Sequence, residues 1–255
     1  MRLTIDTDRR EVVFEEDGRT ESVPLYSRRA FELISRQWVR VGWNEKYPYT
    51  FSWLGRPIIQ LPEDLLRIQE AITEIRPDVV VETGVAHGGS LVFYASILQA
   101  LGGGRVVGVD IEIRPANRKA IESHVLAPLI TLIEGNSVDP AVVNEVHAGI
   151  APQEKVLVLL DSNHTKAHVA AELEAYASLV TAGSYIVATD GVMEDLHDVP
   201  RGKESWRDDN PSSAAREFAA RHPEFVLEPP RWPFNESALQ QNVTHWPDAW
   251  LRRVR

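Results

Sequence analysis

The stretch that decides the fold is Val79–Ser90, which reads Val-Val-Val-Glu-Thr-Gly-Val-Ala-His-Gly-Gly-Ser. Its β-branched start predicts a buried strand, its glycines predict a tight loop, and the apolar residues 91–101 that follow predict a helix. Glycines allow unusual backbone angles and close approach of a ligand, while a helix N-terminus favours negative charge. The strand, loop and helix together predict a ligand-binding loop.

The spacing of this loop narrows the kind of ligand. Glu82, Gly84, Gly88 and Gly89 form the pattern Glu-x-Gly-x-x-x-Gly-Gly. This is neither the Gly-x-Gly-x-x-Gly of dinucleotide sites nor the Gly-x-x-x-x-Gly-Lys of phosphate-binding loops. The loop follows an acid and contains no lysine, so it suits a cationic, phosphate-free ligand better than a nucleotide phosphate.

Composition limits the class of protein. The chain has 255 residues, a formal net charge of −10 and no cysteine. The acidic balance without a basic run argues against nucleic acid and anionic membranes as partners. Disulfides and thiolate metal sites are excluded. The N-terminus lacks the apolar core of a signal peptide, and no apolar run is long enough to span a bilayer, which predicts a soluble cytoplasmic protein.

Two regions are predicted, an N-terminal extension over residues 1–55 and an α/β domain over residues 56–255. Within the extension, residues 3–5 and 11–14 predict paired strands and residues 27–41 predict a helix. An aromatic cluster then follows: Trp43, Tyr47, Tyr49, Phe51 and Trp53. Two interpretations stay open, a contact surface against the main domain or a second subunit, and a lid over an active site.

The α/β domain alternates helices with near-continuous apolar strands. This alternation predicts a mostly parallel, Rossmann-like twisted sheet with helices on both faces. The predicted strands cover residues 79–82, 105–110, 129–134, 155–161, 185–190, 225–227 and 251–254.

An acid or small polar residue lies at the end of each of the first five strands. These residues are Glu82, Asp110, Asn136, Asp161 and Asp190. In an open α/β sheet they meet at one edge, where ligands bind. Asp110 suits ribose hydroxyls, and Asn136 with Ser137 is placed to contact a base, although each is also a common cap or turn residue. Together they outline S-adenosylmethionine, a nucleoside with a cationic tail.

Asp161 and Asp190 also form a hard oxygen site suited to Mg²⁺, Mn²⁺ or Ca²⁺. His164 lies between them in sequence and is predicted to be a general base toward a substrate hydroxyl, its alternative being a structural histidine. His168 is predicted to lie on a helix surface. A rival hypothesis joins Asp161, His164 and His168 into a non-haem iron site of a hydroxylase, which leaves the Glu82–Asp110 pocket without a role.

The loop over residues 193–210 follows the last of these strands. Its candidate substrate-binding residues are His197, Arg201 and Trp206. A basic, aromatic loop at this place suits the diphosphate of a nucleotide-sugar, or a segment that closes over the site. The alternative is an ordinary solvated surface loop.

Several short stretches form a recognisable combination: Trp53-Leu-Gly-Arg-Pro-Ile, Pro62-Glu-Asp-Leu, Arg76-Pro-Asp, the loop Glu82–Ser90, Asp161-Ser-Asn-His-Thr-Lys-Ala-His168 and Asp209-Asn-Pro. Together they resemble the cephalosporin hydroxylase-like, or rhamnosyl O-methyltransferase, family. The resemblance runs from about Tyr49 to the C-terminus. It implies a class I S-adenosylmethionine-dependent methyltransferase that acts on a hydroxyl of a deoxysugar, such as a nucleotide-linked rhamnose in natural-product biosynthesis, with Mg²⁺ assisting.

The resemblance also implies roles for particular residues. The expected cofactor-binding residues are Glu82, Gly84, His87, Gly88, Gly89, Ser90, Asp110, Asn136, Ser137 and Asp161. Asp161 and Asp190 are the expected metal ligands, and Asp161 and His164 are the expected catalytic residues. One departure stands out, since Thr189 replaces an acid that the family has beside Asp190. This departure also supports a third possibility, a non-catalytic partner with a methyltransferase fold. A homo-oligomer formed through the extension is expected.

Overall fold

The N-terminal extension begins with a small antiparallel sheet. The structure is a computed structural model that describes residues 2–16 and 18–255. Strands β1 (Arg2–Asp6), β2 (Glu11–Glu16) and β3 (Arg19–Pro24) pair in that order. The first two strands confirm the prediction. The third was not predicted because its sequence, Arg-Thr-Glu-Ser-Val-Pro, has a single buriable side chain; pairing with β2 along its length makes it a strand.

A helix and a hairpin complete this region. Helix α1 (Arg28–Asn44) is capped by the Ser27 hydroxyl, which accepts a hydrogen bond from the Ala30 N–H at 3.2 Å. After a 3-10 turn at Tyr47–Thr50, strands β4 (Phe51–Trp53) and β5 (Arg56–Ile58) form a hairpin. The predicted boundary between residues 55 and 56 falls in the turn of this hairpin.

The α/β domain is a seven-stranded sheet covered by helices, as predicted. In chain order its elements are α2 (Pro62–Ile75), β6 (Val79–Thr83), α3 (Gly89–Ala100), β7 (Arg105–Asp110), α4 (Pro115–Glu122), β8 (Ile130–Glu134), α5 (Pro140–Ala148), β9 (Val156–Leu160), α6 (Lys166–Tyr176), β10 (Tyr185–Ala188), α7 (Pro211–Arg221), β11 (Phe225–Leu227) and β12 (Trp250–Arg253). The strand order is β8-β7-β6-β9-β10-β12-β11, and only the pairs that include β12 are antiparallel.

The continuous apolar strands are buried on both faces of this sheet. Val80 packs into a core with side chains of α2 and α3. Its neighbours Val79 and Val81 point the other way, into a core with side chains of α6 and α7. Each fully buried valine contributes roughly 1.5–3 kcal/mol of transfer free energy. Because both faces need apolar residues, β6 carries them at successive positions. Among the described residues, no helix is both long and apolar enough to cross a membrane.

The order in which successive strands join the sheet reverses at β6. Strands β7 and β8 lie on one side of β6, and the chain then crosses to place β9 on the other side. Such a switch point opens a crevice at the carboxyl ends of the strands. Gly84 lies against the residue that follows β9 and has a positive φ of +97°. A Cβ on Gly84 would lie 2.1 Å from the Asp161 carbonyl oxygen. The crevice therefore needs glycine at this position.

Gly89 provides a test of how tightly the hairpin packs on the start of α3. A Cβ on Gly89 would lie 2.1 Å from the Pro57 carbonyl oxygen, whereas a Cβ on Gly149 would meet nothing closer than 3.5 Å. We expect Gly89→Ala to lower the free energy of unfolding by about 1–3 kcal/mol through overpacking, and Gly149→Ala to change it by less than about 0.5 kcal/mol. Urea unfolding measures both, and equal effects would contradict this packing.

Candidate active site

Asp110, at the end of β7, binds the backbone of the glycine loop. Its Oδ2 accepts hydrogen bonds from the Val85 and Ala86 N–H groups at 2.8 and 3.1 Å, and its Oδ1 accepts one from Glu112 N–H at 3.2 Å. A carboxylate offers about four lone-pair sites. Three are used by backbone, so one acceptor position on Oδ1 remains for a ligand hydroxyl.

Glu82 lies behind the loop. The structure buries it completely, and its carboxylate accepts hydrogen bonds from the Ser90 hydroxyl at 2.5 Å and the Tyr94 hydroxyl at 2.9 Å. Burial, with the neighbouring Asp161 carboxylate, raises the pKa of Glu82 well above its ordinary value. Glu82 therefore orients Ser90 from inside the protein, and its role toward the cofactor stays a prediction.

The N-terminus of α3 has no side-chain cap. Gly88 is its N-cap residue, with φ 78°, and its own N–H donates to the Val85 carbonyl at 2.7 Å. The preceding His87 carbonyl accepts a hydrogen bond from Arg56 Nε at 3.0 Å, which ties the loop to β5. Uncapped amides at a helix N-terminus suit a carboxylate. The amides of Gly89 and Ser90 are therefore the candidates for the amino-acid end of S-adenosylmethionine.

Asn136 and Ser137 follow β8 as predicted, but each has a local partner. Asn136 Oδ1 accepts a hydrogen bond from Val138 N–H at 3.3 Å, which is a turn interaction. The Ser137 hydroxyl lies 3.1 Å from His168 Nε2. That nitrogen also lies 3.2 Å from the Ser162 hydroxyl and 3.4 Å from Glu172 Oε1. The prediction that His168 is a surface residue is therefore wrong, because it connects the ends of β8 and β9.

Asp161, His164 and Asp190 come together above the ends of β9 and β10. One potential ligand atom from each lies within 4.8 Å of the other two. His164 Nε2 is 3.5 Å from Asp190 Oδ2, and its Nδ1 is buried with no hydrogen-bond partner in the described chain. Asp190 adopts a left-handed backbone conformation, φ 58°, a strain that is found at functional sites.

Thr189 occupies the place of the family's acid and contacts Asp161. Its buried hydroxyl lies 2.5 Å from Asp161 Oδ1 and 2.8 Å from the Leu160 carbonyl oxygen. Burial and the Asp190 carboxylate raise the pKa of Asp161, while His164 and the Thr189 hydroxyl lower it. Two carboxylates forced together in this way favour a bound cation. The donor set therefore fits a divalent metal even with Thr189 in place of an acid.

The iron-site hypothesis is not supported by this geometry. It needs His168 beside Asp161 and His164. Among the described residues, the metal-ligating side chains that gather in a set of three are Asp161, His164 and Asp190. His168 instead contacts Ser137, Ser162 and Glu172.

A cavity of about 140 Å³ adjoins Asp190. Its lining residues are Trp43, Lys46, Pro48, Tyr49, Ile59, Asp190, Arg201, Trp206 and His245. Arg201 and Trp206, two of the three predicted substrate-binding residues, thus line a cavity with Asp190, and their role stays a prediction. His197 does not line this cavity, since its Nδ1 lies 2.8 Å from the Glu194 carbonyl oxygen and its Nε2 lies 3.2 Å from Arg207.

The N-terminal extension supplies one wall of this cavity. Trp43 packs edge-on against Trp206, with ring centroids 6.1 Å apart. The end of α1 is held to the segment after Asp190 by ion pairs, Arg36 to Asp195 at 2.7 Å and Arg40 to Asp198 at 2.6 Å. The aromatic cluster therefore contacts the main domain of its own chain beside the candidate site.

Sequence reasoning missed His245 and gave no role to Asp64. His245 is 4% exposed, and its ring packs edge-on against Trp43, with centroids 5.3 Å apart. Asp64 Oδ2 accepts a hydrogen bond from His245 N–H at 2.8 Å, and the Thr244 hydroxyl donates to Asp64 Oδ1. A single histidine near the C-terminus carries no pattern that points to a site, because only the folded chain brings it to Asp190.

The strand order, with a glycine loop at the switch point, is that of the class I methyltransferase fold. A CmcI structure described as Mg-SAM matches it with a TM-score of 0.53 at 17% identity, covering 81% of this chain and 78% of that one. MycE methyltransferase from the mycinamycin biosynthetic pathway, in complex with Mg and SAH, matches with a TM-score of 0.50 at 17% identity, covering 95% and 66%. At these identities the matches establish the fold.

The chain belongs to the family Rhamnosyl O-methyltransferase/CmcI, whose model matches residues 45–254. A rhamnosyl O-methyltransferase of Mycobacterium leprae (strain TN) is 30% identical over 161 residues, which cover 62% of this chain and 66% of that protein. The chain therefore matches just under two thirds of this relative's length.

Asp64 gives a pH-dependent contribution to stability. Burial raises the pKa of Asp64 from 3.8 to about 8. Between these values the folded chain keeps a proton that the unfolded chain releases, so the stability from this group falls as pH rises. Between about pH 5 and about pH 8 we expect the wild type to lose about 1–4 kcal/mol more unfolding free energy than Asp64→Asn, at about 1.4 kcal/mol per pH unit.

Urea unfolding at the two pH values measures this difference. Asp8→Asn, at an exposed position, is the matched control and should keep the wild-type dependence. Glu82 titrates alike in all three proteins and drops out of the comparison. If Asp64→Asn lost as much stability as the wild type over this range, Asp64 would not be the protonated group.

Proposed function

We propose that this chain transfers a methyl group from S-adenosylmethionine to a hydroxyl of a deoxysugar, with a divalent cation assisting. The observation that carries the proposal is the Asp161–His164–Asp190 set, which lies at the carboxyl edge of the sheet beside the glycine loop. Membership of the rhamnosyl O-methyltransferase/CmcI family supports the reaction class.

S-adenosylmethionine supplies an electrophilic methyl group when bound. The uncapped amides of Gly89 and Ser90 bind its carboxylate, Gly88 supplies the turn that begins the helix, and Glu82 acts through the Ser90 hydroxyl that it orients. Asp110 binds a ribose hydroxyl with its remaining acceptor position. His87 and Ser137 keep the cofactor-binding roles that the family resemblance implies, and Asn136 keeps the base contact expected from its place after β8.

Asp161 and Asp190 would hold the cation, with Mg²⁺ the first choice for a carboxylate site. A bound divalent cation lowers the pKa of a hydroxyl that it contacts. Metal-ligating histidines usually donate their second N–H to a neighbour, and His164 Nδ1 has no such neighbour within the described chain. We therefore assign His164 the role of proton acceptor and not that of a metal ligand.

His164 accepts the proton of the acceptor hydroxyl. Nε2 is the nitrogen that can take this proton, because Nδ1 is buried, and it lies 3.5 Å from Asp190 Oδ2. Asp161 is the second candidate for this proton when no cation is bound, because burial and the Asp190 carboxylate then raise its pKa and so strengthen it as a base. Much of the rate comes from holding the hydroxyl in line with the donor, since the cofactor already carries the leaving group.

The cavity beside Asp190 receives the acceptor. Aromatic walls at Trp43 and Trp206 suit the apolar face of a sugar ring, and Lys46 and Arg201 suit an anionic group attached to it. This combination supports a nucleotide-linked rhamnose-type sugar. MycE, named for a mycinamycin pathway, supports a role in natural-product biosynthesis.

The N-terminal extension acts as a wall or lid of this cavity. Trp43, Lys46 and Tyr49 line it, and the ion pairs of Arg36 and Arg40 hold α1 against the segment after Asp190. This supports the lid interpretation over a purely subunit-facing role. A homo-oligomer stays a prediction, and the exposed apolar side chains of α1, Phe31, Trp38 and Val41, are where a second copy would pack.

The experiment is methyl transfer measured as S-adenosylhomocysteine formation. The acceptors are dTDP-L-rhamnose and methyl α-L-rhamnoside, each assayed with EDTA and with added Mg²⁺. We expect product with a rhamnose-type acceptor, a drop of at least about 10-fold on chelation, and recovery with Mg²⁺. Asp190→Asn should raise the Mg²⁺ concentration needed for half-maximal rate, because it removes one of two carboxylates.

Cofactor binding without methyl transfer to any sugar would instead favour a non-catalytic partner. An undiminished rate after rigorous chelation would contradict the role of the metal alone.

The His164→Ala variant tests whether His164 acts as a base or as a metal ligand. We expect kcat to fall by about 100-fold or more at saturating Mg²⁺, because proton transfer by a positioned side chain is worth that much. Half-saturation by Mg²⁺ should stay near the wild-type value. The control is His147→Ala, whose ring contacts the Ala175 carbonyl oxygen at 3.1 Å. A rate restored by more Mg²⁺ would make His164 a ligand, and an unchanged rate would exclude both roles.

A further inference from the structure

A histidine side chain with little exposed surface lines the proposed acceptor cavity. His245 is 4% exposed and lines the cavity together with Asp190. Its ring packs edge-on against Trp43, with centroids 5.3 Å apart. The ring nitrogens are not among the fully buried polar atoms that lack a partner within the described chain, so they can be reached from the cavity. An imidazole at such a place can hydrogen-bond a ligand hydroxyl as donor or acceptor.

His245 is held in place through its backbone. Asp64 Oδ2 accepts a hydrogen bond from His245 N–H at 2.8 Å, and the Thr244 hydroxyl donates to the other oxygen of Asp64. The His245 carbonyl in turn accepts a hydrogen bond from Val192 N–H at 3.0 Å, two residues after Asp190. A ring whose backbone is fixed from both sides presents its nitrogens at a defined place.

The position of His245 separates it from the proton-transfer residues. His164 lies on the loop after β9, whereas His245 follows the long C-terminal connection and faces the wall formed by Trp43 and Trp206. Two histidines on opposite elements beside Asp190 therefore meet different parts of one ligand. A monosaccharide presents several hydroxyls, which an imidazole can accept from and donate to.

We propose that His245 is a specificity-determining residue that hydrogen-bonds a second hydroxyl of the sugar acceptor, and that Asp64 is its positioning residue. This inference rests on the proposed function, because it assigns a contact within the same acceptor site. A contact to a hydroxyl that does not react is made alike in the ground state and the transition state, so it acts on acceptor binding and leaves the chemical step unchanged.

The test compares wild type, His245→Ala, His245→Gln and Asp64→Asn. Acceptor dissociation constants come from calorimetry in the presence of S-adenosylhomocysteine, with methyl α-L-rhamnoside and its three monodeoxy analogues as probes. Acceptor KM and kcat come from the transfer assay. We expect His245→Ala to raise the dissociation constant and KM about 3- to 10-fold with kcat nearly unchanged. Glutamine, which keeps a donor and an acceptor, should recover part of the loss.

The deoxy analogues identify the contact. One of them should bind the wild type as weakly as methyl α-L-rhamnoside binds His245→Ala. The same analogue should bind His245→Ala no more weakly than it binds the wild type. Asp64→Asn should raise KM in the same direction, and the double variant Asp64→Asn with His245→Ala should be no weaker than His245→Ala alone. His147→Ala is the matched control, and unchanged affinity for S-adenosylhomocysteine shows that each variant is folded.

The possible failures are distinguishable. If wild type binds and methylates rhamnoside while His245→Ala matches it in KM and dissociation constant, the role of His245 is overturned and the proposed function stands. A large loss of kcat at unchanged KM would also overturn it, because His245 would then act in the chemical step. If wild type binds cofactor but none of the sugar probes, the proposed function and this inference both fail.

Discussion

The close approach of Gly84 to the end of β9 is the constraint on which the rest of the site depends. The Asp161 N–H donates to the Thr83 carbonyl at 2.8 Å, and a Cβ on Gly84 would lie within 2.1 Å of the Asp161 carbonyl. The donor loop and the first metal-binding candidate are therefore fixed to each other through backbone. Because this contact lies at the switch point of the sheet, both sit at the mouth of the same crevice.

The acids gathered in this crevice favour the binding of a cation. Glu82, Asp161 and Asp190 bring three acids to the ends of three neighbouring strands, and burial raises the pKa of the first two. Hydrogen bonds from the hydroxyls of Ser90, Tyr94 and Thr189 offset part of the free-energy cost of burying these carboxylates. A bound cation stabilises the charged form of a buried carboxylate, so the proposed sulfonium and divalent cation are ligands that this cluster of acids favours.

The acceptor side is assembled from the two ends of the chain. Helix α1 brings Trp43 to the cleft and the C-terminal connection brings His245, while Asp64 at the start of α2 holds the backbone of His245. These contacts join residues about 200 positions apart, and Val39 of α1 also packs against Val192 and Leu196. The proposed donor side is thus local in sequence, and the proposed acceptor side is built by tertiary packing.

Local pattern by itself determined the strands β6 to β10, the glycine loop and the acids at the strand ends, because buried parallel strands require continuous apolar runs and their carboxyl ends share one edge. It also pointed to Arg201 and Trp206. Pattern missed β3, whose side chains show no alternation, and it placed His168 on a helix surface. Only the tertiary structure decided that Ser90 and Tyr94 contact a buried Glu82, that His168 connects two strand ends, and that His245, with its backbone held by Asp64, lines the cavity beside Asp190. These outcomes depend on contacts between side chains distant in sequence, for which no local periodicity exists.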